Sequence, residues 1–462
     1  MSRLSQCASI TLPARNPHGL HTIDAEDEMI DHGNTADVGQ GQNITEAARS
    51  TASSDGGWQA WTYVLGGFLV FFNIWGFTFA FGAFQSYYAL HLHPSHSASS
   101  ISWIGTIQSF LLIIVGVISG PLFDLGYYKT MILAGSFLTI FGIMMLSLSI
   151  EYYQILLSQG ICVGLGCGLL YVPSLALVSG SFTTKRAIAV GVATCGIAVG
   201  GIVYTTTFSQ LIARVGFPWT VRIMGFIASG VFLLSFPCLL WKSPASNQRP
   251  PRAARQLIDF SAFRDPLFDA FAAIMFFTFL GYIVPYFYIP AFAEQALHTS
   301  PSLALTALVV SQVTSLFGRA IAASVAHHVG GMVPWFVCTA VSVLFCFCWT
   351  AMDSVGSFFV FCALYGLFSA ALVALPASVL PLVCPNPEML GTRMGMSWAC
   401  SAVAFLIGTP IGAALTSADD RLSSPAAFRG VQLWSGAVLV VATALLVLLW
   451  FAVMKDKNRV FV

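Results

Sequence analysis

The chain has 462 residues, of which 8% are charged, against about 25% in soluble domains, while 57% are hydrophobic and the mean hydropathy is +0.80. Water is therefore not its main solvent, and a formal charge of +1 leaves no concentrated basic surface for counterion-release binding to nucleic acid. Eleven cysteines scatter mostly through apolar runs without metal-site or secreted-disulfide spacing, so even Cys346 and Cys348 read as small packing residues.

Residues 1–60 are polar, hold eight acids against three arginines and contain no apolar core, which predicts a disordered tail rather than a signal peptide. Twelve apolar runs of bilayer-crossing length follow, near 61–84, 101–122, 130–150, 154–176, 187–210, 219–241, 267–290, 302–325, 333–351, 357–380, 391–416 and 431–453. The HLHPSH run after the first holds His91, His93 and His96 with no acid or cysteine beside them, so it reads as a solvated loop rather than a metal site. The longest polar break, 242–266, carries Pro244, Pro250, Pro251, Lys242, Arg249, Arg252, Arg255 and Arg264. It divides the chain into six-span halves, 61–241 and 267–453, joined by a cytoplasmic linker and followed by a short tail, 454–462. The predicted fold class is thus an all-α polytopic membrane protein of twelve transmembrane helices in two six-helix halves.

Orientation follows from the bias of Lys and Arg toward cytoplasmic loops. With the amino-terminal tail inside, fifteen of the twenty Lys/Arg fall in cytoplasmic segments, among them Lys129, Lys185, Arg186, Arg393, Lys455, Lys457 and Arg459. Four fall outside, Arg214, Arg222, Arg421 and Arg429, and Arg319 falls within a span. Both termini are predicted cytoplasmic in a multi-pass protein of the plasma membrane. The acceptor-like Asn43-Ile44-Thr45 is then on the unglycosylated side.

An internal repeat supports the division. The second span ends in Gly120-Pro121-Leu122-Phe123-Asp124-Leu125-Gly126, and the eighth ends about 204 residues later in Ser324-Val325-Ala326-His327-His328-Val329-Gly330. Gly120 through Lys129, GPLFDLGYYK, resembles the loop signature of the major facilitator superfamily, whose halves are parallel repeats around a midplane substrate site. The resemblance implies that Asp124 helps lock one alternating-access state against the start of span eleven, near Gly391 to Arg393. A helix N-terminus suits a carboxylate there. Gly120, Asp124, Lys129, His328 and Arg393 are accordingly the candidate gating residues, with His328 standing where the first copy has Asp124.

Asp55-Gly56-Gly57-Trp58-Gln59-Ala60-Trp61 resembles the DGGWGW signature of the monocarboxylate transporter family. Phe81-Gly82-Ala83-Phe84-Gln85, Ser102-Trp103 through Phe110, Gln159-Gly160 through Pro173-Ser174, Arg186-Ala187 through Gly191 and Gly318-Arg319 continue the pattern. Together they are similar to the family's fungal monocarboxylate-permease-like branch, whose members move monocarboxylates, vitamins or secondary metabolites. Animal lactate carriers of the family have a lysine where this chain has Ala83 and an aspartate where it has Ser315. Proton-coupled lactate transport by those groups is therefore not implied.

None of the 19 acids falls in the middle of a span, and Asp269 is nearest. An arginine at membrane depth costs at least about 2.5 kcal/mol and should face an aqueous cavity or a partner. Ser311, Gln312, Ser315 and Arg319 share one face of span eight, a stripe expected to line a central cavity in which Arg319 attracts an anionic or strongly polar group. Snorkelling of Arg319 to the cytoplasmic side is the alternative. Asn73 and Gln108 are expected to orient substrate or to bond a neighbouring helix. Tyr282 and Tyr286, a turn apart around Pro285 in a helix expected to break there, are expected to enclose substrate or to anchor at the interface. Gly160, Gly164 and Gly168, with Gly191, Gly196 and Gly200, predict smooth faces for helix approach, as do Gly116 with Gly120 and Gly408 with Gly412.

These features predict a secondary active or facilitative transporter of a small organic molecule working by alternating access, with a non-transporting nutrient receptor on a carrier fold as the alternative. No cluster of nucleophile, base and orienting acid supports an enzyme, and no cofactor is expected. The expected partners are the substrate and the bilayer. Protons are a candidate coupling ion, with a weak dependence expected because buried carboxylates are missing, and a monomer is compatible with the pattern.

Overall fold

The computed structural model describes residues 57–91, 97–182, 185–240, 257–384, 389–416 and 425–460. Most of the predicted tail, Asp55, Gly56, His93, His96, Lys242, Arg249, Arg252, Arg255 and Arg421 lie outside the described residues, as do the side chains of Arg186, Lys457 and Arg459.

Regular structure among the described residues is helical, and eleven helices are long and apolar enough to cross a membrane. The difference from twelve lies in the stretch Ile188–Leu240, 53 residues long, which runs through two predicted spans. Gly216 interrupts it at φ 73° and ψ 173°, a conformation that suits glycine, and Pro218 follows two residues later. The spans are therefore α1 (Trp58–His91), α2 (Ser99–Asp124), α3 (Tyr128–Leu146), α4 (Tyr152–Gly180), α5 (188–216), α6 (217–240), α7 (Pro266–Gln295), α8 (Pro301–Val329), α9 (Met332–Ala351), α10 (Val355–Val383), α11 (Leu390–Ala414) and α12 (Pro425–Lys455).

Lipid takes the place of water on the outer faces. Phe137, Phe226, Leu233, Leu234, Leu448 and Phe451 are exposed on α3, α6 and α12, where hydrocarbon suits them. Inward, packing in the first six spans recurs in the last six. α1 lies on α5 and α6 as α7 lies on α11 and α12, α2 on α4 as α8 on α10, and α3 on α6 as α9 on α12. The α2–α3 and α8–α9 turns match as well, since Gly126 (φ 92°) and Gly330 (φ 82°) take the same left-handed role 204 residues apart. The most extensive contacts between the two sets are α2 with α11, α5 with α8, and the Phe81–His91 end of α1 with α7.

Close approach explains the glycines. A Cβ on Gly200 of α5 would lie 2.0 Å from the Phe72 carbonyl oxygen of α1, and one on Gly318 of α8 would lie 1.9 Å from the Leu367 carbonyl of α10. The predicted Gly160, Gly164 and Gly168 face is seated on α2, against Ile104, Gln108 and Val115. Gly191, expected on the smooth face of α5 with Gly196 and Gly200, has open space beside it and does not pack there.

The expected break of α7 at Pro285 is also corrected, because the helix continues through Pro285 and Pro290. Proline at 285 removes the donor for the Gly281 carbonyl. Ser435 of α12 replaces it, its hydroxyl donating to that oxygen at 2.9 Å, and the Tyr365 hydroxyl of α10 donates to the next carbonyl, Tyr282, at 2.8 Å. Neighbouring helices thus satisfy the backbone that proline frees.

Overpacking typically costs about 1–3 kcal/mol. Gly200→Ala and Gly318→Ala should each lower the melting temperature of detergent-purified protein and the yield of monodisperse material. Gly230→Ala, whose Cβ meets nothing within 4 Å, should change neither.

Candidate substrate site

The polar stripe of α8 is buried. Ser311, Gln312 and Ser315 are at most 1% exposed and Arg319 is 5% exposed. Two of its hydroxyls turn back onto their own helix, Ser311 donating to the Leu308 carbonyl and Ser315 to that of Gln312. Gln312 packs against Gly201 of α5, and its amide nitrogen is buried without a hydrogen-bond partner. The Arg319 guanidinium donates to the Thr194 carbonyl of α5 at 3.4 Å, a long bond to a neutral acceptor. That contact carries no opposite charge. The side chain is enclosed between α8 and α5.

Across from Arg319, α7 presents the two predicted tyrosines, both about 1% exposed, and the arginine charge acts on both hydroxyls. Tyr286 shares a 2.9 Å hydrogen bond with Ser369 of α10, while the Tyr282 hydroxyl is buried without a partner. Both rings are buried inside the bundle. The structure therefore places Arg319 beside Tyr282 and Tyr286, with Ser315 and Gln312 one and two turns away along α8.

The aromatic residues beside them went unassigned in the sequence. Tyr282 and Tyr286 are 5.6 Å apart, Phe79 of α1 lies 5.2 Å from Tyr286, and Phe279 lies 5.8 Å from Tyr282. Phe279 continues the network to Trp398 and Phe405 of α11, each at 5.1 Å. Trp75 of α1 then meets Phe405 at 6.4 Å and Tyr171 of α4 at 6.0 Å, and Tyr171 meets Trp398 at 6.5 Å. A sequence signal existed in the tryptophans: Trp75 and Trp398 stand inside their spans, away from the interfacial belt where tryptophan is enriched.

The other two predicted substrate residues join helices. Asn73 accepts a 2.7 Å bond from the Tyr204 hydroxyl of α5 and donates at 3.1 Å to the Ala228 carbonyl of α6, so both ends of its amide are engaged. Gln108 donates at 3.1 Å to Thr78 of α1, leaving its buried carbonyl oxygen without a partner. Of the predicted gating residues, Gly120 is buried near the end of α2, Asp124 closes that helix, and Lys129 and His328 are exposed at the starts and ends of the repeated turns.

Arg393 is committed elsewhere. Its Nε donates to Asp259 at 3.1 Å and its Nη1 to Asp265 at 2.7 Å, while its Cζ sits 5.4 Å above the Phe268 ring. Asp265 also caps α7, accepting from the Leu267 N–H, so one carboxylate fixes the start of α7 and the first turn of α11. Neither acid was assigned from sequence, although Asp265-Pro266 is a helix-start signature.

A bundle of apolar spans whose buried faces carry polar and aromatic groups, with one arginine at their junction, defines a membrane carrier for small molecules. The family model of the Major Facilitator Superfamily matches residues 64–361, and the chain belongs to that superfamily of transporters. It is 37% identical over 391 residues to the MFS-type transporter dbaD of Emericella nidulans, covering 84% of this chain and 85% of the relative. It is 34% identical over 396 residues to the aspyridones efflux protein apdF of the same organism, covering 86% and 78%. With the agnestins efflux protein AgnL12 of Paecilomyces divaricatus the identity is 35% over 387 residues, covering 83% and 86%. These relatives are named as transporters and efflux proteins, not as enzymes, and the comparisons do not support the receptor alternative. The protein is a multi-pass integral membrane transporter of a small molecule.

The ion cluster around Arg393 has a pH signature. The Ser261 hydroxyl and then the Arg393 guanidinium hold the Asp259 carboxyl below its ordinary range. A depressed carboxylate stabilises the fold above its unfolded pKa, about 4, and loses that contribution as pH falls through the lower folded value. Asp259→Asn should therefore lower the melting temperature by a few degrees at neutral pH, and the difference from the native protein should shrink on titration below about pH 4.

Proposed function

We propose that the protein exports a small organic anion of secondary metabolism, alternating access to Arg319 between two six-helix halves, 61–241 and 267–453. The naming of two relatives for the efflux of aspyridones and agnestins supports export. The recurrent packing of α1–α6 in α7–α12 supports the division into halves. The DGGW and GPLFD signatures support a place in the monocarboxylate-permease-like branch, and the distribution of Lys and Arg supports cytoplasmic termini in the plasma membrane.

The observation that carries the reading is the burial of Arg319 against a neutral carbonyl, beside Tyr282 and on the same helix face as Gln312, each with a buried polar atom left without a partner. A charge at that depth is costly and is retained where it meets an opposite charge during the cycle. Asp124 at the end of α2 and the Arg393 cluster at the start of α11 belong to the cytoplasmic closure of the cycle. Proton coupling, where present, works through groups at the membrane faces, because the nearest acids of α7, Asp269 and Glu294, occupy its terminal turns.

Efflux assays on whole cells, comparing internal and external metabolites, test this. Arg319→Gln should reduce efflux about tenfold or more, as loss of one partner of a buried charge contact does, with membrane insertion and protein level unchanged. Unchanged efflux would remove Arg319 from the substrate site. In vesicles, an imposed pH gradient should alter the flux only weakly, and strict dependence on the gradient would refute the assignment of protons to the membrane faces.

A further inference from the structure

The aromatic network has a feature that simple packing does not explain. Its contacts cross between the two sets of spans: Trp75 of α1 on Phe405 of α11, Tyr171 of α4 on Trp398 of α11, and Phe79 of α1 on Tyr286 of α7. Alternating access separates these helices on one side or the other in each cycle, so ring contacts that bridge them have to break. Each large aromatic side chain buries roughly 150–250 Å², and leaving those faces in water is unfavourable. Something must take the place of the opposing ring whenever the bundle opens, and a flat apolar face does this best. An aliphatic chain covers area but lacks the offset-stacked or edge-to-face attraction that a second ring offers.

The polar end of the same junction limits the charge of the occupant. Arg319 supplies one positive charge held by a neutral carbonyl, and the Tyr282 hydroxyl and Gln312 amide nitrogen supply donors that are buried without partners. All three can donate to oxygen. Resting on the efflux reading above, we infer that the substrate class is a planar arene bearing one acidic group, with the acid between Arg319, Tyr282 and Gln312 and the ring between Trp75, Phe279, Trp398 and Phe405. The aromatic wall then sets selectivity, while Arg319 supplies anion affinity common to any monoanion that fits.

Calorimetric titration of the full chain in lipid nanodiscs tests this with three probes of one skeleton: 2-naphthoate, its saturated analogue decahydro-2-naphthoate, and the neutral 2-naphthamide. Naphthoate should bind about tenfold more tightly than the decahydro acid, the scale of one or two aromatic contacts. Trp398→Leu should remove that preference while decahydro-2-naphthoate binding persists, and Arg319→Gln should weaken both acids without changing the amide. Equal affinity of the two acids for the native protein, or binding of neither, overturns the inference, and this comparison needs no variant to fold. Failure of the aromatic preference with anion binding lost in Arg319→Gln leaves the efflux reading standing. Loss of that reading would appear instead as efflux unaffected by the same substitution.

Discussion

The constraint on which the structure depends is that no backbone polar group can be left open to hydrocarbon, where each would cost several kcal/mol. α7 shows how far the protein goes to meet it. Two prolines lie inside this helix, yet it runs unbroken, because Ser435 of α12 and Tyr365 of α10 donate to the carbonyls around Pro285. These bonds also fix α7 against two neighbours at the level of Tyr282 and Tyr286. Satisfying the backbone and positioning the candidate site are therefore one arrangement.

Close helix approach follows from the same solvent. Lipid offers no hydrophobic drive for helices to associate, so contact area and interhelical hydrogen bonds have to supply it. Gly76 against Gly200 brings α1 and α5 into backbone contact, and the Asn73 amide, bonded to Tyr204 and Ala228, ties α1 to both α5 and α6 beside it. Gly318 and Gly408 do the equivalent for α8 on α10 and α11 on α7. On the proposed alternating-access cycle, close packing within each set of spans leaves the contacts between sets as the movable ones.

The architecture was legible in the sequence because it rests on long-range regularities: apolar run length, charge asymmetry and a repeat of 204 residues. Arg319, Gln312, Ser315, Tyr282 and Tyr286 were legible as candidates because a charge, a polar stripe at helical spacing and a proline stand out inside apolar spans. Asn73 was not separable from them, since an amide that joins helices and one that meets substrate look alike until its partners are known. The aromatic wall was missed for the opposite reason. Aromatic residues make up 13% of the chain, and only three-dimensional adjacency distinguishes Trp75, Phe279, Trp398 and Phe405 from rings that face lipid or fill the core. Likewise Asp259 and Asp265 stood in a polar connection where acids are ordinary. Their convergence on Arg393 could not be read from spacing.

Arg319 and Arg393, both buried, show how one residue type serves opposite ends. Arg393 is met by two carboxylates and a ring, its charge fully answered, at the point where α11 and the entry to α7 must stay together. Arg319 donates to one carbonyl at 3.4 Å and has only neutral hydroxyls, those of Tyr282 and Tyr286, beside it. A guanidinium with satisfied partners is a fastening, because removing any partner leaves a buried charge exposed to low dielectric. One with a long bond to a neutral acceptor has interaction energy left for an opposite charge, as the proposed function requires. On the proposed function, a substrate bound too well at such a site would not leave, so the weak resting contact of Arg319 with α5 also gives the arginine somewhere to return once an anion is released.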